Sequence, residues 1–269
     1  MSGDASALRI LDAVKTYDVS NVGYAKVCNA DLLLATDPDC DRVGIAVKNK
    51  AGEYELLTGN QTGMLLDYNC SQRVKHGKMP ADPVMVKTIV TMDMGEQIGK
   101  LEKQGKKDSY EESCGYLTGS YVRNKDGVDG AYMICEMFSY YATQGISLLD
   151  RLDELYKTYG YCLNTLHSYE FDGSAGFARM QSIMQAFRGG IKEFGGKKVV
   201  RLLDYVQGLD GLPKSDVLKF LLEDNCSLVV RPSGTEPKLK IYISVSAENK
   251  EMAEEVEDEI AKTAEKWIC

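Results

Sequence analysis

The stretch ADLLLATDPDCDRVGIAV, Ala30–Val47, decides how the chain is read. Two apolar runs, Asp31–Ala35 and Val43–Val47, have the length and composition of buried strands, and a polar turn joins them. Within the turn, Asp37, Asp39 and Asp41 alternate. Alternate residues of an extended segment point the same way, so the three carboxylates can converge. Close and unpaired, they repel. A hard divalent cation relieves that repulsion, and Mg²⁺ in particular keeps positions for water or a phosphate oxygen. Arg42 follows at once, and a fixed guanidinium beside a metal is one way to hold a phosphate dianion. A calcium EF-hand also opens D-x-D-x-D, but it requires glycine at position 6 and glutamate at position 12. Arg42 and Lys48 stand there instead, between strands rather than helices, so that reading is excluded. A solvated acidic turn is the bland alternative.

On either side of this stretch, strand alternates with helix, the pattern of α/β layers. Helices are expected over residues 5–17, Gly59–Val74 and Asp93–Gln104, with a strand at Pro83–Val90. Glu111–Gly130 is rich in glycine and serine and shows little periodicity. Helices follow at about 129–143 and 147–158, a strand at 161–171 and a helix at 175–188. The end changes character: Val199–Val206, Ser227–Val230 and Leu239–Ser246 read as strands before a final helix near 248–267. Met252, Val256, Ile260 and Trp267 mark one face of that helix, and its charged residues read as a solvated face. Tyr156–Tyr161, YKTYGY, reads as a helix end with a glycine stop rather than a stacking surface. The expected fold is multidomain α/β, with mixed-sheet domains and a C-terminal α+β domain, a sheet with flanking helices.

The 269 residues are 44% hydrophobic and 27% charged, with formal net charge −8. That length suggests two or three domains. The acidic balance disfavours a nucleic-acid partner, and a phosphate binder of this charge must gather its cations locally. No apolar run reaches the roughly 20 residues that span a bilayer, so no membrane partner is expected. The eight cysteines are scattered without a CxxC pair, as in reduced thiols of a cytoplasmic protein. The two histidines, His76 and His167, lie far apart, which disfavours zinc.

Two further motifs carry chemistry. Glu111-Glu112-Ser113-Cys114-Gly115-Tyr116 places a carboxylate and a hydroxyl, Glu111 and Ser113, one residue apart, a spacing suited to neighbouring sugar hydroxyls; a polar loop is its plain alternative. Arg123-Asn124-Lys125-Asp126-Gly127 follows it. In Arg231-Pro232-Ser233-Gly234-Thr235-Glu236-Pro237-Lys238-Leu239-Lys240 an apolar strand ends in a guanidinium, two hydroxyls and a glycine that lets backbone approach a ligand. That combination makes an anion cradle.

Together, TDPDCDR, EESCGY and RPSGTEPK resemble the metal, sugar and phosphate loops of the α-D-phosphohexomutase superfamily, in the family's order. VRNKDG and GLPKSDVLKF resemble the branch with bacterial α-phosphoglucomutase and related phosphopentomutases. The resemblance implies Mg²⁺ on Asp37, Asp39 and Asp41, with Arg42 beside a phosphoserine. It implies Glu111 and Ser113 on sugar hydroxyls and Lys125 near the substrate. Arg231, Ser233, Gly234 and Thr235 would grip the non-reacting phosphate, assisted by Lys240. The implied division is 1–56, part of a second domain with the metal loop; 57–158, a third domain with the sugar loop; and 159–269, the phosphate-binding domain. The implied reaction is interconversion of a sugar 1-phosphate and 6-phosphate, of glucose or mannose, through a phosphoserine and a bisphosphate intermediate.

The sequence also departs from that family. The family serine sits in a Ser-His-Asn type loop of a first domain, and no Ser-His pair occurs here. VGYAKVCNAD, TMDMGEQIGK and DSYEESCGY are each shorter than the family pattern. The chain is therefore expected to lack the first domain and to be inactive alone. The rivals are a non-catalytic sugar-phosphate binder and a phosphatase using Asp37-x-Asp39.

Overall fold

The computed structural model describes residues 21–77, 85–92, 108–117, 124–209, 211–233 and 237–268. The expected helices over 5–17 and Asp93–Gln104 lie outside these residues. The chain divides into two compact units, Met1–Tyr159 and Gly160–Cys269, and Gly160 at the join has φ +89°, the left-handed stop expected after YKTYGY.

In the first unit, α1 (Asn21–Cys28) leads into β1 (Leu32–Thr36), β2 (Val43–Lys48) and β3 (Tyr54–Leu57), an antiparallel sheet in that order. Val43, Ile45, Ala46 and Val47 are buried, so β2 is covered on both faces, as its unbroken apolar run requires. Helix α2 (Gly59–Lys75) follows. A second small sheet joins β4 (Met85–Lys87), β5 (Asp108–Glu111) and β6 (Gly115–Leu117); β4 runs parallel to β5, and β6 antiparallel to it. The Glu111–Gly130 region thus holds strand structure that its sequence hides, because each strand is too short to show a period. Helix α3 (Gly127–Ala142) begins two residues earlier than periodicity indicates. The Asp126 carboxylate caps it, accepting from the N–H groups of Val128 and Asp129 at 2.9 and 3.1 Å. Helix α4 (Leu148–Tyr159) closes the unit.

The second unit is one six-stranded antiparallel sheet. Its strands are β7 (Tyr161–Glu170), β8 (Glu193–Phe194), β9 (Lys197–Asp204), β10 (Leu218–Leu222), β11 (Ser227–Pro232) and β12 (Lys238–Ala247), in the order β7-β12-β11-β10-β9-β8. Helices α5 (Gly173–Arg188) and α6 (Lys250–Glu265) supply the helical part of its core. Leu218 and Phe220 of β10, Leu228 and Val230 of β11, and Leu239, Ile241 and Ile243 of β12 all enter that core. Phe187, Phe194 and Phe220 interlock within it, with Phe194 and Phe220 edge to face at 5.1 Å between ring centres. Alternation then turns the intervening residues of each strand to the opposite face.

Helix α6 corrects one expectation. Ala253, Ile260 and Ala264 are buried and Val256 packs beside them, but Met252 and Trp267 are 44% and 43% exposed. The helix uses small residues to approach the sheet closely, and a pattern read for large apolar side chains misses alanine. Its start is capped by Asn249, whose side chain accepts from Met252 N–H at 2.9 Å.

His167 of β7 and Glu257 of α6 form a partly buried pair, 2.7 Å apart, and Thr165 donates to the same carboxylate oxygen at 2.6 Å. The hydrogen bond to Glu257 raises the His167 pKa above 6.5, against burial. The hydrogen bond to His167 lowers Glu257 below 4.5, again against burial. The raised His value stabilises below pH 6.5, and this is lost as pH rises through the folded His pKa. The depressed Glu value stabilises above pH 4.5, and this is lost as pH falls through the folded Glu pKa. The pair therefore supports the fold most between these two values. His167 is about one-third exposed, so solvent screening limits the contribution to about 1 kcal/mol. Trp267, the sole tryptophan, lies in this unit and reports its unfolding. Urea titrations by Trp267 fluorescence should show the wild type more stable than Glu257→Gln near pH 5.5 and the two converging by pH 9. A gap independent of pH would contradict the pairing.

Candidate active site

The metal loop is the connection between β1 and β2, whose register brings Thr36 opposite Val43. Cys40 N–H donates to Asp37 O at 3.0 Å, forming the turn, and Cys40 takes φ +56°. That conformation is uncommon for a residue with a side chain. It is held in place because Gly127 N–H, at the start of α3, donates to Cys40 O at 2.8 Å. Gly127 is needed for this approach: a methyl group there would lie 2.9 Å from the carbonyl oxygens of both Cys40 and Arg42.

The carboxylates do converge. One oxygen from each of Asp37, Asp39 and Asp41 lies within 4.8 Å of the others. Asp37 is buried, Asp39 exposed and Asp41 between them. Arg42 N–H donates to Asp37 at 3.1 Å, while its Nε lies 3.4 Å from Asp41 and 3.9 Å from Asp37. Lys125 Nζ reaches Asp41 at 2.8 Å. Burial pushes the Asp37 pKa up; Asp41 and Asp39 push the same way, and the Arg42 N–H opposes them. Asp41 moves down: burial would raise it, but the Lys125 hydrogen bond and charge outweigh burial, with help from Asp37 and Arg42. The cluster thus holds negative charge at some cost, and an all-oxygen donor set suits a hard dication. An octahedral Mg²⁺ with bonds of about 2.1 Å spans oxygens up to about 4.2 Å apart, which these carboxylates reach with small side-chain shifts.

The sugar loop is the turn Glu112–Cys114 between β5 and β6, with Glu111 opposite Gly115. Cys114 also takes a left-handed conformation, φ +64°, and its carbonyl accepts from Val43 N–H at 3.0 Å. That bond ties the sugar loop to the strand that leaves the metal loop. The Glu112 carboxylate accepts from Thr88 Oγ1 at 3.4 Å, and Thr88 lies 2.7 Å from the Thr91 hydroxyl. Gly59, at the start of α2, abuts the same turn: a Cβ there would fall 2.4 Å from Glu112 O and 2.5 Å from Cys114 N. Ser113 is half-buried in the turn, and Glu111 ends β5. Sequence reasoning missed Gly59, Thr88 and Thr91, whose only signal was a glycine opening a helical pattern and two threonines ending an apolar run.

In the second unit, Arg231 and Ser233 stand where β11 runs out, and Ser233 N–H donates to Lys238 O at 2.7 Å, closing the hairpin into β12. Gly234 and Thr235 lie outside the described residues. The Arg231 guanidinium sits over the Tyr242 ring, 5.8 Å from its centre. Its Nε is buried and, among the described residues, has no hydrogen-bond partner. Lys240 lies opposite Arg231 in the ladder and is 4% exposed, and burial lowers its pKa.

Residues 172–263 match the family model for the C-terminal domain of phosphoglucomutase and phosphomannomutase. A phosphoglucomutase of Staphylococcus aureus strain MSSA476 is 32% identical over 263 residues, covering 85% of this chain and 47% of the relative. These matches support a C-terminal part of a phosphoglucomutase/phosphomannomutase-type chain. The Staphylococcus epidermidis phosphoglucomutase is 28% identical over 282 residues, covering 91% of this chain and 51% of the relative. A similar fold is seen in the open form of the Paramecium phosphoprotein pp63/parafusin, a phosphoglucomutase (TM-score 0.67, 17% identity, 97% of this chain and 48% of that one). A phosphoglucomutase/phosphomannomutase family protein of Burkholderia thailandensis gives TM-score 0.56 at 14% identity, over 91% of this chain and 49% of that one. The chain spans about half the length of the phosphohexomutases it matches. Among the described residues, no helix is long and apolar enough to cross a membrane.

Proposed function

We propose that this chain carries the metal, sugar and phosphate loops of a phosphohexomutase, an isomerase that interconverts a sugar 1-phosphate and 6-phosphate, glucose foremost, in the cytoplasm. The observation that supports this best is the convergence of Asp37, Asp39 and Asp41 with Lys125 and Arg42 at their edge. In this reading 1–56 and 57–158 are parts of two domains and 159–269 is a third. Asp37, Asp39 and Asp41 hold Mg²⁺, which when bound stabilises charge on a transferring phosphoryl group. Lys125 and Arg42 keep the carboxylates ionised and offer cations to phosphate oxygens. Glu111 and Ser113 orient the sugar through its hydroxyls. Arg231, Ser233, Gly234 and Thr235 hold the phosphate that is not reacting, with Lys240 adding charge. A phosphoserine relay through a sugar bisphosphate is the proposed chemistry of the parent enzyme. No Ser-His pair is present in this sequence to supply the relay, so the chain alone binds without turnover.

Metal binding tests the reading at its strongest point. Mg²⁺ should raise the thermal midpoint of the chain, and EDTA should reverse the rise. Asp39→Asn removes one exposed ligand without disturbing the fold, and should weaken Mg²⁺ at least about tenfold, since losing even an outer-shell partner of a metal ligand costs about 10- to 100-fold. An Asp39→Asn protein that responds to Mg²⁺ as the wild type does would remove the triad from metal binding.

A further inference from the structure

Three consecutive residues at the start of α3 each bind a different part of the site. Lys125 Nζ lies 2.8 Å from the Asp41 carboxylate, Asp126 N–H donates to Tyr116 O of β6 at 3.4 Å, and Gly127 N–H donates to Cys40 O of the metal loop at 2.8 Å. The middle residue has no role in the mechanism above, yet it fixes the other two. Asp126 is extended, φ −138° and ψ 108°, and its carboxylate accepts from the N–H groups of Val128 and Asp129, so the helix begins at Gly127 and no later. Gly130 N–H then closes the first turn on Asp126 O at 2.9 Å. Gly130 also lets that turn approach the strands of both loops: a methyl group there would lie 3.1 Å from Tyr116 Cδ2 of β6 and 3.1 Å from Val43 Cγ1 of β2. The first turn of α3 is thus keyed to β6, to β2 and to the metal loop at once. The metal loop needs such a key. Cys40, between Asp39 and Asp41, has φ +56°, and a residue with a side chain keeps that conformation only where its surroundings over-determine it. The bond from Gly127 N–H to Cys40 O is part of those surroundings, and it lasts only while α3 begins at Gly127.

We infer that Asp126 is a positioning residue for the metal loop: by capping α3 it keeps Asp37, Asp39 and Asp41 in the arrangement that takes Mg²⁺. This rests on the metal-loop reading of the triad. Asp126 acts through backbone, from the cap to Gly127 N–H and from there to Cys40 O. Without the cap the first turn of α3 frays, Gly127 N–H leaves Cys40 O, and Cys40 relaxes out of the left-handed region. The carboxylates on either side of it then lose their common direction, and affinity falls with the fraction of molecules that keep the loop arranged. The charge of Asp126 is not required for this; a side-chain oxygen that accepts from two N–H groups is.

The test is calorimetric titration of the full chain with Mg²⁺, each variant held well below its unfolding midpoint. Asp126→Ala should bind Mg²⁺ about tenfold more weakly, the lower end of what losing a partner that orients metal ligands costs. Asp126→Asn keeps the accepting oxygen, caps a helix as well as aspartate does, and should stay within about threefold of wild type. Ser147→Ala is the control for plain loss of stability. It removes the corresponding cap of α4 in the same unit, where Ser147 Oγ accepts from Asp150 N–H at 3.0 Å, and should leave Mg²⁺ affinity within about twofold of wild type. Hydrogen exchange at Gly127 N–H should quicken in Asp126→Ala and stay unchanged in Ser147→Ala. Wild-type Mg²⁺ affinity in Asp126→Ala, alongside the loss in Asp39→Asn, would overturn the role of Asp126 and leave the triad standing. An equal loss in Ser147→Ala, or an Asp126→Asn protein as weak as Asp126→Ala, would also overturn it. A wild type that does not bind Mg²⁺ would overturn the metal-loop reading, and the role of Asp126 with it. Should Asp126→Ala unfold, Asp126→Gly takes its place, since glycine at a cap costs the helix little: weaker Mg²⁺ binding supports the assignment and wild-type binding overturns it.

Discussion

Replacing Arg231 with alanine is expected to weaken glucose 6-phosphate binding roughly 10- to 100-fold, the range given by losing charged hydrogen bonds of about 1.5–3 kcal/mol. The same change should leave stability within about 1 kcal/mol of wild type, because two effects oppose. The Arg231 Nε is buried without a hydrogen-bond partner among the described residues, which costs free energy in the unliganded protein. Removing it relieves that cost but also removes the stem and guanidinium packed over Tyr242. A residue retained for folding would show the reverse pattern, a lower midpoint and little change in affinity. Calorimetric titration and urea unfolding of the same preparation separate the two. Unchanged affinity would take Arg231 out of the cradle.

The largest stability effect is expected at Gly59. Glycine at a helix start or interior is usually improved by alanine, by up to about 1 kcal/mol. Here the sign reverses. A methyl group on Gly59 would sit 2.4 Å from Glu112 O and 2.5 Å from Cys114 N, and both are backbone atoms that cannot rotate away. Either α2 moves or the sugar loop does. Overpacking of this kind costs about 1–3 kcal/mol and at times more, and backbone obstacles put Gly59→Ala at the upper end. Hydrogen exchange should show the loss locally, as faster exchange over Gly115–Leu117 and at Val43, whose N–H is bonded to Cys114 O. Unchanged protection there would mean that α2 yields and the loop holds.

The legible parts of the sequence were those in which chemistry and pattern agree. The Val43–Val47 run is buried along its length, and the alternating aspartates before it converge, though through a turn with Cys40 left-handed rather than through extended backbone. The six-stranded sheet was only partly legible. β10, LKFLL, escaped the strand reading because Lys219 interrupts its apolar run. β3, YELL, is four residues long and β8 two, below any length that shows a period. The contacts that stitch the metal and sugar loops together, Gly127 to Cys40 and Val43 to Cys114, are backbone hydrogen bonds. Side-chain identity encodes such bonds only through the glycine that permits the approach. The left-handed Cys40 and Cys114 carried no signal, since cysteine has no preference for that conformation.

The central claim is that this chain recognises a phosphorylated sugar. The direct measurement is calorimetric titration of the chain, in Mg²⁺, with glucose 6-phosphate and with glucose. The account predicts saturable binding of glucose 6-phosphate, at least tenfold tighter than glucose, a preference worth about 1.4 kcal/mol or more. Equal affinity for the two sugars, or no binding of either, would contradict it.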